Sequence, residues 1–298
     1  VRGLSGNWQS YRDGSSHRQV HDLFQPTTES IMIDPKVISR VRNGVCAVGY
    51  LTIPLEEYKR NVQSPLFQVV GTGFLVRETT VITNRHVIQG LFESQANLGF
   101  PSSQFFLLFV APQEGSQPQI TKRMVRRFGA LANEDLDVGF LEFKVVTESH
   151  FRDISSLDIA SSLDLHVSEE IAVYGYPYGT AMLKKNAKVY RWGPVIQRGF
   201  ISAISPFDTA TEPDEILLDV RTAGGMSGAP IFRPSNGEVI GIHHSGWEAT
   251  TALGLPLTHQ RVDSWLELYD RERNATDENT ESDQTTLLNS ELPNIGST

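Results

Sequence analysis

The sequence predicts an all-β protein with one C-terminal helix, built as β-barrels or a sandwich and most simply as two small antiparallel barrels. Three observations carry this. Short apolar runs with turn punctuation recur along the middle of the chain. A polar stretch near Thr147–Glu170 divides those runs into two groups. One convincing helical pattern stands at the end, over His259–Tyr269, where Val262, Trp265, Leu266 and Tyr269 fall at three- and four-residue spacing.

The runs expected as strands are Gly44–Thr52, Phe67–Val76, Thr80–Thr83, Phe105–Ala111 and Val138–Phe143 in the first group. The second group holds Ile171–Tyr176, Gly199–Ile204, Ile216–Val220, Pro230–Phe232 and Val239–His243. Ser235-Asn236-Gly237 separates the last two, and Asn-Gly takes positive φ cheaply, so a tight hairpin is expected there. Residues 1–35 read as a polar N-terminal arm. Residues 36–269 form the folded unit, with a first barrel about 36–150, a second about 170–258 and the helix at 259–269. Residues 270–298 hold seven acids and two arginines, which reads as a flexible acidic tail. The chain of 298 residues suits one or two domains.

Composition removes several functions. The formal net charge of -9 disfavours a nucleic-acid partner. No run of 18 apolar residues occurs, so no membrane span is expected. The single cysteine, Cys46, excludes an internal disulfide and Cys-rich zinc sites, and is expected to be a small buried hydrophobe. It fits a reducing cytoplasm, with a secreted bacterial protein from a disulfide-poor lineage as the alternative. Val1 is not Met, and Val1–Ser30 lacks a signal-peptide core, so a piece of a longer polypeptide is one expectation. No metal constellation and no cofactor are expected. Gly71-Thr72-Gly73 is no phosphate loop, lacking the lysine and the following helix.

Three segments could do chemistry. In Thr83-Asn84-Arg85-His86, a histidine stands just past a strand end. In Asp135-Leu136-Asp137-Val138-Gly139-Phe140-Leu141, an acid opens an apolar strand; a buried Asp beside a His fixes the tautomer a general base needs. In Gly225-Met226-Ser227-Gly228-Ala229-Pro230, glycines surround a serine and let backbone N–H groups face one point, as an oxyanion hole requires. Gly225 and Ser227 would supply those groups. Asp135 competes with Asp137, since strand alternation puts both on one side.

Taken in order, His86, Asp137 and Ser227 resemble the triad of the chymotrypsin-like (trypsin-like) serine peptidase superfamily. Thr83-Asn84-Arg85-His86 is similar to the family's histidine motif. Asp137-Val138-Gly139-Phe140-Leu141 resembles its aspartate motif. Gly225-Met226-Ser227-Gly228-Ala229-Pro230 resembles Gly-x-Ser-Gly-Gly-Pro, with Ala229 for the second glycine. Gly175-Tyr176-Pro177 also resembles bacterial members, and the likeness covers roughly residues 40–269. It implies two six-stranded barrels with the triad between them, Ser227 as nucleophile, His86 as base and Asp137 as its orienting acid. The partner it implies is a protein or peptide substrate.

Val239-Ile240-Gly241-Ile242-His243-His244-Ser245-Gly246 resembles the S1 wall of staphylococcal-type glutamyl endopeptidases, which carry Gly-Ile-His there. That implies His243 and Thr222 as ligands for a P1 carboxylate, with His244, Ser245 and Gly246 along the same wall, and cleavage after Glu or Asp. Small or neutral P1 residues are the alternative. Arg221 stands where trypsin-like cleavage after Lys or Arg would want an acid. Met226 stands where animal digestive members carry the Asp of their zymogen switch. Control is therefore expected from the N-terminal arm, a larger polypeptide or a partner. A viral cysteine protease would need Cys at position 227. A silent or latent binding module on the same fold is the rival from another class.

Overall fold

A computed structural model describes residues 32–60, 67–99, 105–111, 119–133, 135–143, 154–177, 182–185, 188–191, 194–208, 210–247 and 251–277. Two closed antiparallel barrels of six strands dominate it. The first holds β1 (Val45–Leu51), β2 (Phe67–Arg77), β3 (Thr80–Thr83), β4 (Phe105–Ala111), β5 (Gln119–Ala130) and β6 (Gly139–Phe143), closed in the order β1-β2-β3-β6-β5-β4. The second holds β7 (Glu170–Gly175), β10 (Val195–Ser205), β11 (Glu215–Leu218), β12 (Pro230–Phe232), β13 (Val239–Trp247) and β14 (Thr251–Pro256), closed in the order β10-β11-β14-β13-β12-β7. A separate hairpin pairs β8 (Met182–Lys185) with β9 (Lys188–Arg191). The expected all-β class, two barrels and a C-terminal helix, is what the chain adopts.

Each barrel is filled from its own strands. Cys46, Val48, Leu75, Val81, Leu107, Phe109 and Leu141 pack inside the first, and Ile171, Val173, Ile201, Ile216, Leu218, Ile231 and Ile240 inside the second. A third cluster joins the barrels, from Phe74 and Phe140 to Tyr174, Phe232 and Ile242. Two helices cap it. α1 (Pro35–Gly44) starts at Asp34, whose carboxylate accepts the Lys36 N–H at 2.8 Å, and Pro35 supplies the fixed φ of a first turn. It buries Val37 and Val41. α4 (His259–Asp277) buries Val262, Trp265, Leu266 and Tyr269, and the Tyr269 ring lies 5.2 Å from Phe140.

Several elements differ from the sequence reading. α1, the short α2 (Leu55–Arg60) and α3 (Arg85–Leu98) were not expected, nor were β5, the β8–β9 hairpin and β14. α4 runs past Tyr269 to Asp277, continuing after its apolar stripe ends, with Asp270 paired to Arg77 at 3.0 Å. Most of the 1–35 arm, the tail beyond residue 277 and Trp192 lie outside the described residues. The Asn236-Gly237 turn is present between β12 and β13: Gly237 has φ 77° and donates to the Arg233 carbonyl at 2.8 Å.

The connection between the barrels is stitched to both. The Leu157 N–H donates to the Leu75 carbonyl at 2.9 Å, and the Ala160 N–H donates to the Val239 carbonyl at 2.9 Å. Among the described residues no helix is long and apolar enough to cross a membrane.

Candidate active site

β3 ends at Thr83, and the chain turns directly into α3, placing His86 in the first turn of a helix. Val87 and Ile88 anchor that turn in the first barrel's core, and Gly99 closes the helix in the left-handed region. Asp137 stands two residues before β6, not within it. The Val138 N–H donates to the Leu136 carbonyl at 2.8 Å, a three-residue turn centred on Asp137 that carries its side chain off the sheet.

The two side chains meet. The Asp137 carboxylate accepts the His86 backbone N–H at 3.0 Å through Oδ1 and holds the His86 ring Nδ1 at 2.6 Å through Oδ2. The Asn84 side chain donates to the Asp137 carbonyl at 3.0 Å, so three contacts fix one acid to one turn. Burial works to raise the Asp137 carboxyl, but the His86 ring and backbone hydrogen bonds, with the charges of His86 and His244, hold it below the ordinary carboxylate range. Holding Nδ1 leaves Nε2 as the ring nitrogen available for proton transfer. Asp135 is exposed, and its own N–H goes to Asn133 Oδ1 at 3.0 Å. The alternation that left Asp135 and Asp137 equivalent does not apply, because both sit in a turn.

Ser227 comes from the second barrel, on the loop between β11 and β12. Almost every nearby backbone group is committed. The Met226 N–H donates to the Ala223 carbonyl at 3.1 Å, the Gly228 N–H to the His243 carbonyl at 2.8 Å, and the Ala229 N–H to the Met226 carbonyl at 2.9 Å. The Ser227 carbonyl accepts the Thr72 N–H at 2.8 Å, and the Gly225 carbonyl accepts the Thr72 hydroxyl at 2.7 Å. Among the described residues, no backbone carbonyl takes the Gly225 or Ser227 N–H. Gly225 has φ 100° and Gly228 φ 85°, values that glycine reaches without strain. Gly71 of β2 stands between α3 and the serine loop: a Cβ there would lie 2.6 Å from the Val87 side chain and 3.1 Å from the Ser227 carbonyl.

β13 forms a wall beside this loop. Its His243 N–H donates to the Ala229 carbonyl at 2.9 Å. His243 is 3% exposed, and among the described residues neither ring nitrogen has a hydrogen-bond partner of good geometry. Burial, with smaller contributions from the charges of His244 and His86, pushes its pKa from 6.5 down to about 4, against the pull of the Met226 backbone. A bulge follows, between His243 and Ser245, and re-aims His244. His244 Nε2 meets Glu215 Oε1 at 3.0 Å. Ser245 and Gly246 are exposed at the strand's outer end. A Cβ on Gly246 would lie 2.8 Å from the Thr222 hydroxyl, so Thr222 packs against this wall. Arg221 is exposed.

His86 and Asp137 thus touch directly, while Ser227, Gly225, Thr222 and His243 share one loop and the strand beside it. Sequence reasoning gave no role to Asn84, Thr72 or Glu215. A hydroxyl between two glycines on a strand was a usable signal for Thr72. Glu215 had none, being brought to His244 only by barrel closure.

Comparison with known proteins bears on the family and the fold. A family model described as a trypsin-like peptidase domain matches residues 71–242. The glutamyl endopeptidase of Staphylococcus epidermidis is 27% identical over 183 residues, 59% of this chain and 54% of that protein. The enzyme of the same name from Staphylococcus aureus (strain MW2) is 24% identical over 194 residues, 62% of this chain and 49% of that protein. The chain thus matches about half the length of these relatives. The structure of an HtrA-type protease, AlgW, with a decapeptide superposes with a TM-score of 0.51 at 14% identity, covering 78% of this chain and 66% of that one. With two closed barrels, a histidine–aspartate pair on one, a glycine-flanked serine on the other and the family match spanning all three, the chain belongs to the trypsin-like peptidase family.

Proposed function

We propose that the chain is a serine endopeptidase that hydrolyses peptide bonds in protein or peptide substrates, with a preference for Glu or Asp at P1. The observation that carries this reading is the grip of Asp137 on both the ring and the backbone of His86, at 2.6 and 3.0 Å. Ser227 Oγ attacks the scissile carbonyl while His86 Nε2 takes its proton. The Gly225 and Ser227 N–H groups receive the developing oxyanion, which costs no reorganisation because the groups around them are already bound. His86 then gives the proton to the leaving amine. A water molecule, activated by His86, hydrolyses the acyl-enzyme. Asp137 keeps the imidazole in the working tautomer and stabilises its charged form. The proposed peptidase unit, residues 36–269, extends in the structure to the Asp34 cap of α1 at one end and to Asp277 of α4 at the other.

The acidic preference rests on His243. A buried imidazole beside the serine loop, whose ring nitrogens reach no hydrogen-bond partner of good geometry among the described residues, keeps a ring N–H for an incoming acceptor. A P1 carboxylate supplies one and raises the His243 pKa, so binding draws in a proton. Thr222, against Gly246, offers the hydroxyl opposite, with His244 and Ser245 along the wall.

A peptide panel varying only P1 tests both levels, using wild type, Ser227→Ala and His243→Ala. Cleavage after Glu or Asp is expected, abolished by Ser227→Ala and reduced selectively by His243→Ala. Ser227-dependent cleavage after other residues keeps the mechanism and discards the specificity. No cleavage by any form favours the latent or silent binding module.

A further inference from the structure

Thr72 lies in β2 of the first barrel, fully buried, and its polar atoms reach out of that barrel. Its N–H donates to the Ser227 carbonyl at 2.8 Å. Its hydroxyl donates to the Gly225 carbonyl at 2.7 Å and accepts the Tyr176 N–H at 3.0 Å, just beyond β7. Its carbonyl accepts the Thr83 hydroxyl at 2.7 Å, three residues before His86. One residue therefore ties together the loop of Ser227, a strand end of the second barrel and the strand that delivers the histidine.

The second barrel is notched to receive it. A Cβ on Gly175 would lie 2.9 Å from the Thr72 hydroxyl, and one on Gly228 would lie 2.0 Å from its carbonyl. Within the serine loop, a Cβ on Gly224 meets nothing within 4 Å among the described residues and Gly225 sits at φ 100°, so side-chain packing does not restrain the Gly224–Gly225 stretch. From across the barrel interface, Thr72 adds a grip on the carbonyls of Gly225 and Ser227, whose N–H groups reach no backbone carbonyl among the described residues.

We propose that Thr72 is the positioning residue that pre-organises the oxyanion hole: from the opposite barrel its hydroxyl and N–H hold the carbonyls of Gly225 and Ser227, anchoring the peptide that follows each oxyanion donor and so limiting how far each donor can swing. This rests on the serine-peptidase reading. Removing the hydroxyl leaves the Gly225 carbonyl and the Tyr176 N–H buried without their partner and frees the loop to turn its donors away. Loss of one oxyanion donor costs on the order of 100- to 1000-fold in rate, so partial misorientation is expected to cost about 10- to 100-fold.

The test is the second-order rate of labelling by an alkyl fluorophosphonate, which needs no P1 side chain. Ser227 Oγ forms the P–O bond, fluoride leaves, and His86 takes the hydroxyl proton. Wild type, Ser227→Ala, Thr72→Ser, Thr72→Val and Thr72→Cys are compared, each with its thermal transition. Labelling of wild type but not Ser227→Ala is expected; its failure sinks the serine-peptidase reading and this inference with it. Thr72→Ser keeps the hydroxyl and is expected to label within about threefold of wild type. Thr72→Val is expected to label at least tenfold more slowly while still melting cooperatively. If it does not fold, Thr72→Cys, with a weak donor of similar size, carries the comparison. A folded Thr72→Val or Thr72→Cys that labels at the wild-type rate, or a Thr72→Ser as slow as Thr72→Val, overturns the inference alone.

Discussion

Acidification singles out His243. Its pKa is about 4 in the folded protein against 6.5 for a free imidazole. The unfolded chain therefore binds a proton here between those values and the folded chain does not, so stability falls as pH falls through that window. The full gap is worth about 3 kcal/mol, and the portion between pH 7 and pH 4.5 about 2 kcal/mol. For a domain of this size that corresponds to a drop of roughly 4–8 °C in Tm. The perturbation is His243→Gln, which removes the titration. Thermal melts of both proteins at pH 7 and pH 4.5 give a double difference that cancels any constant cost of the substitution. Asp137 does not confuse the reading: its depressed pKa contributes stability that is lost only below its ordinary 3.8, outside the window. The wild type should lose the larger amount. Equal losses in the two proteins would show that His243 is not held neutral, and the physical basis for proton-coupled carboxylate binding would go with it.

The same gap makes binding proton-linked. The ratio of kcat/KM for Glu over Gln substrates is expected to rise as pH falls from 8 to 6, by up to about tenfold per unit; a flat ratio would refute proton uptake by His243. Asp137→Asn removes the charge and places an amide N–H₂ against either the ring Nδ1 or the His86 N–H. A loss of about 10⁴ in kcat/KM, roughly 5.5 kcal/mol, is expected, while Asp135→Asn stays within about twofold. Gly228→Ala puts a Cβ 2.0 Å from the Thr72 carbonyl at a φ of 85°. Neither backbone can yield, so urea unfolding should show a loss of about 3 kcal/mol or more; a loss under about 1 kcal/mol would mean the two barrels can part there.

Much of the fold was legible because inward-facing runs advertise themselves. β3, β4 and β12 match their apolar runs residue for residue, as Phe105–Ala111 illustrates. β5 escaped because Gln119–Ala130 carries Lys122, Arg123, Arg126 and Arg127, a polar run whose strand state comes from pairing with β4 and β6 on either side. β14 reads Thr-Ala-Leu-Gly-Leu-Pro, which local propensity marks as a turn and closure of the barrel makes a strand. α3 was hidden by context: Val87, Ile88 and Leu91 carry helical spacing, but the preceding β-rich run suggested a bare corner. In the site, residue type and order picked out His86, Asp137 and Ser227 as candidates, and the resemblance chose Asp137 over Asp135. The three-residue turn that separates the two acids was not legible. Nor was the Thr72 network, whose partners lie 11 to 155 residues away and meet only through barrel docking.

The split of the site between barrels also has a consequence during synthesis. His86 and Asp137 lie on the half of the chain that leaves the ribosome first, and Ser227 some ninety residues behind Asp137. On the proposed reading, a half-made molecule owns a base without a nucleophile. On that reading the proposed triad is complete only once the second barrel has been made and docked on the first. Neighbouring nascent chains are thus spared by topology, with no inhibitor required during those seconds.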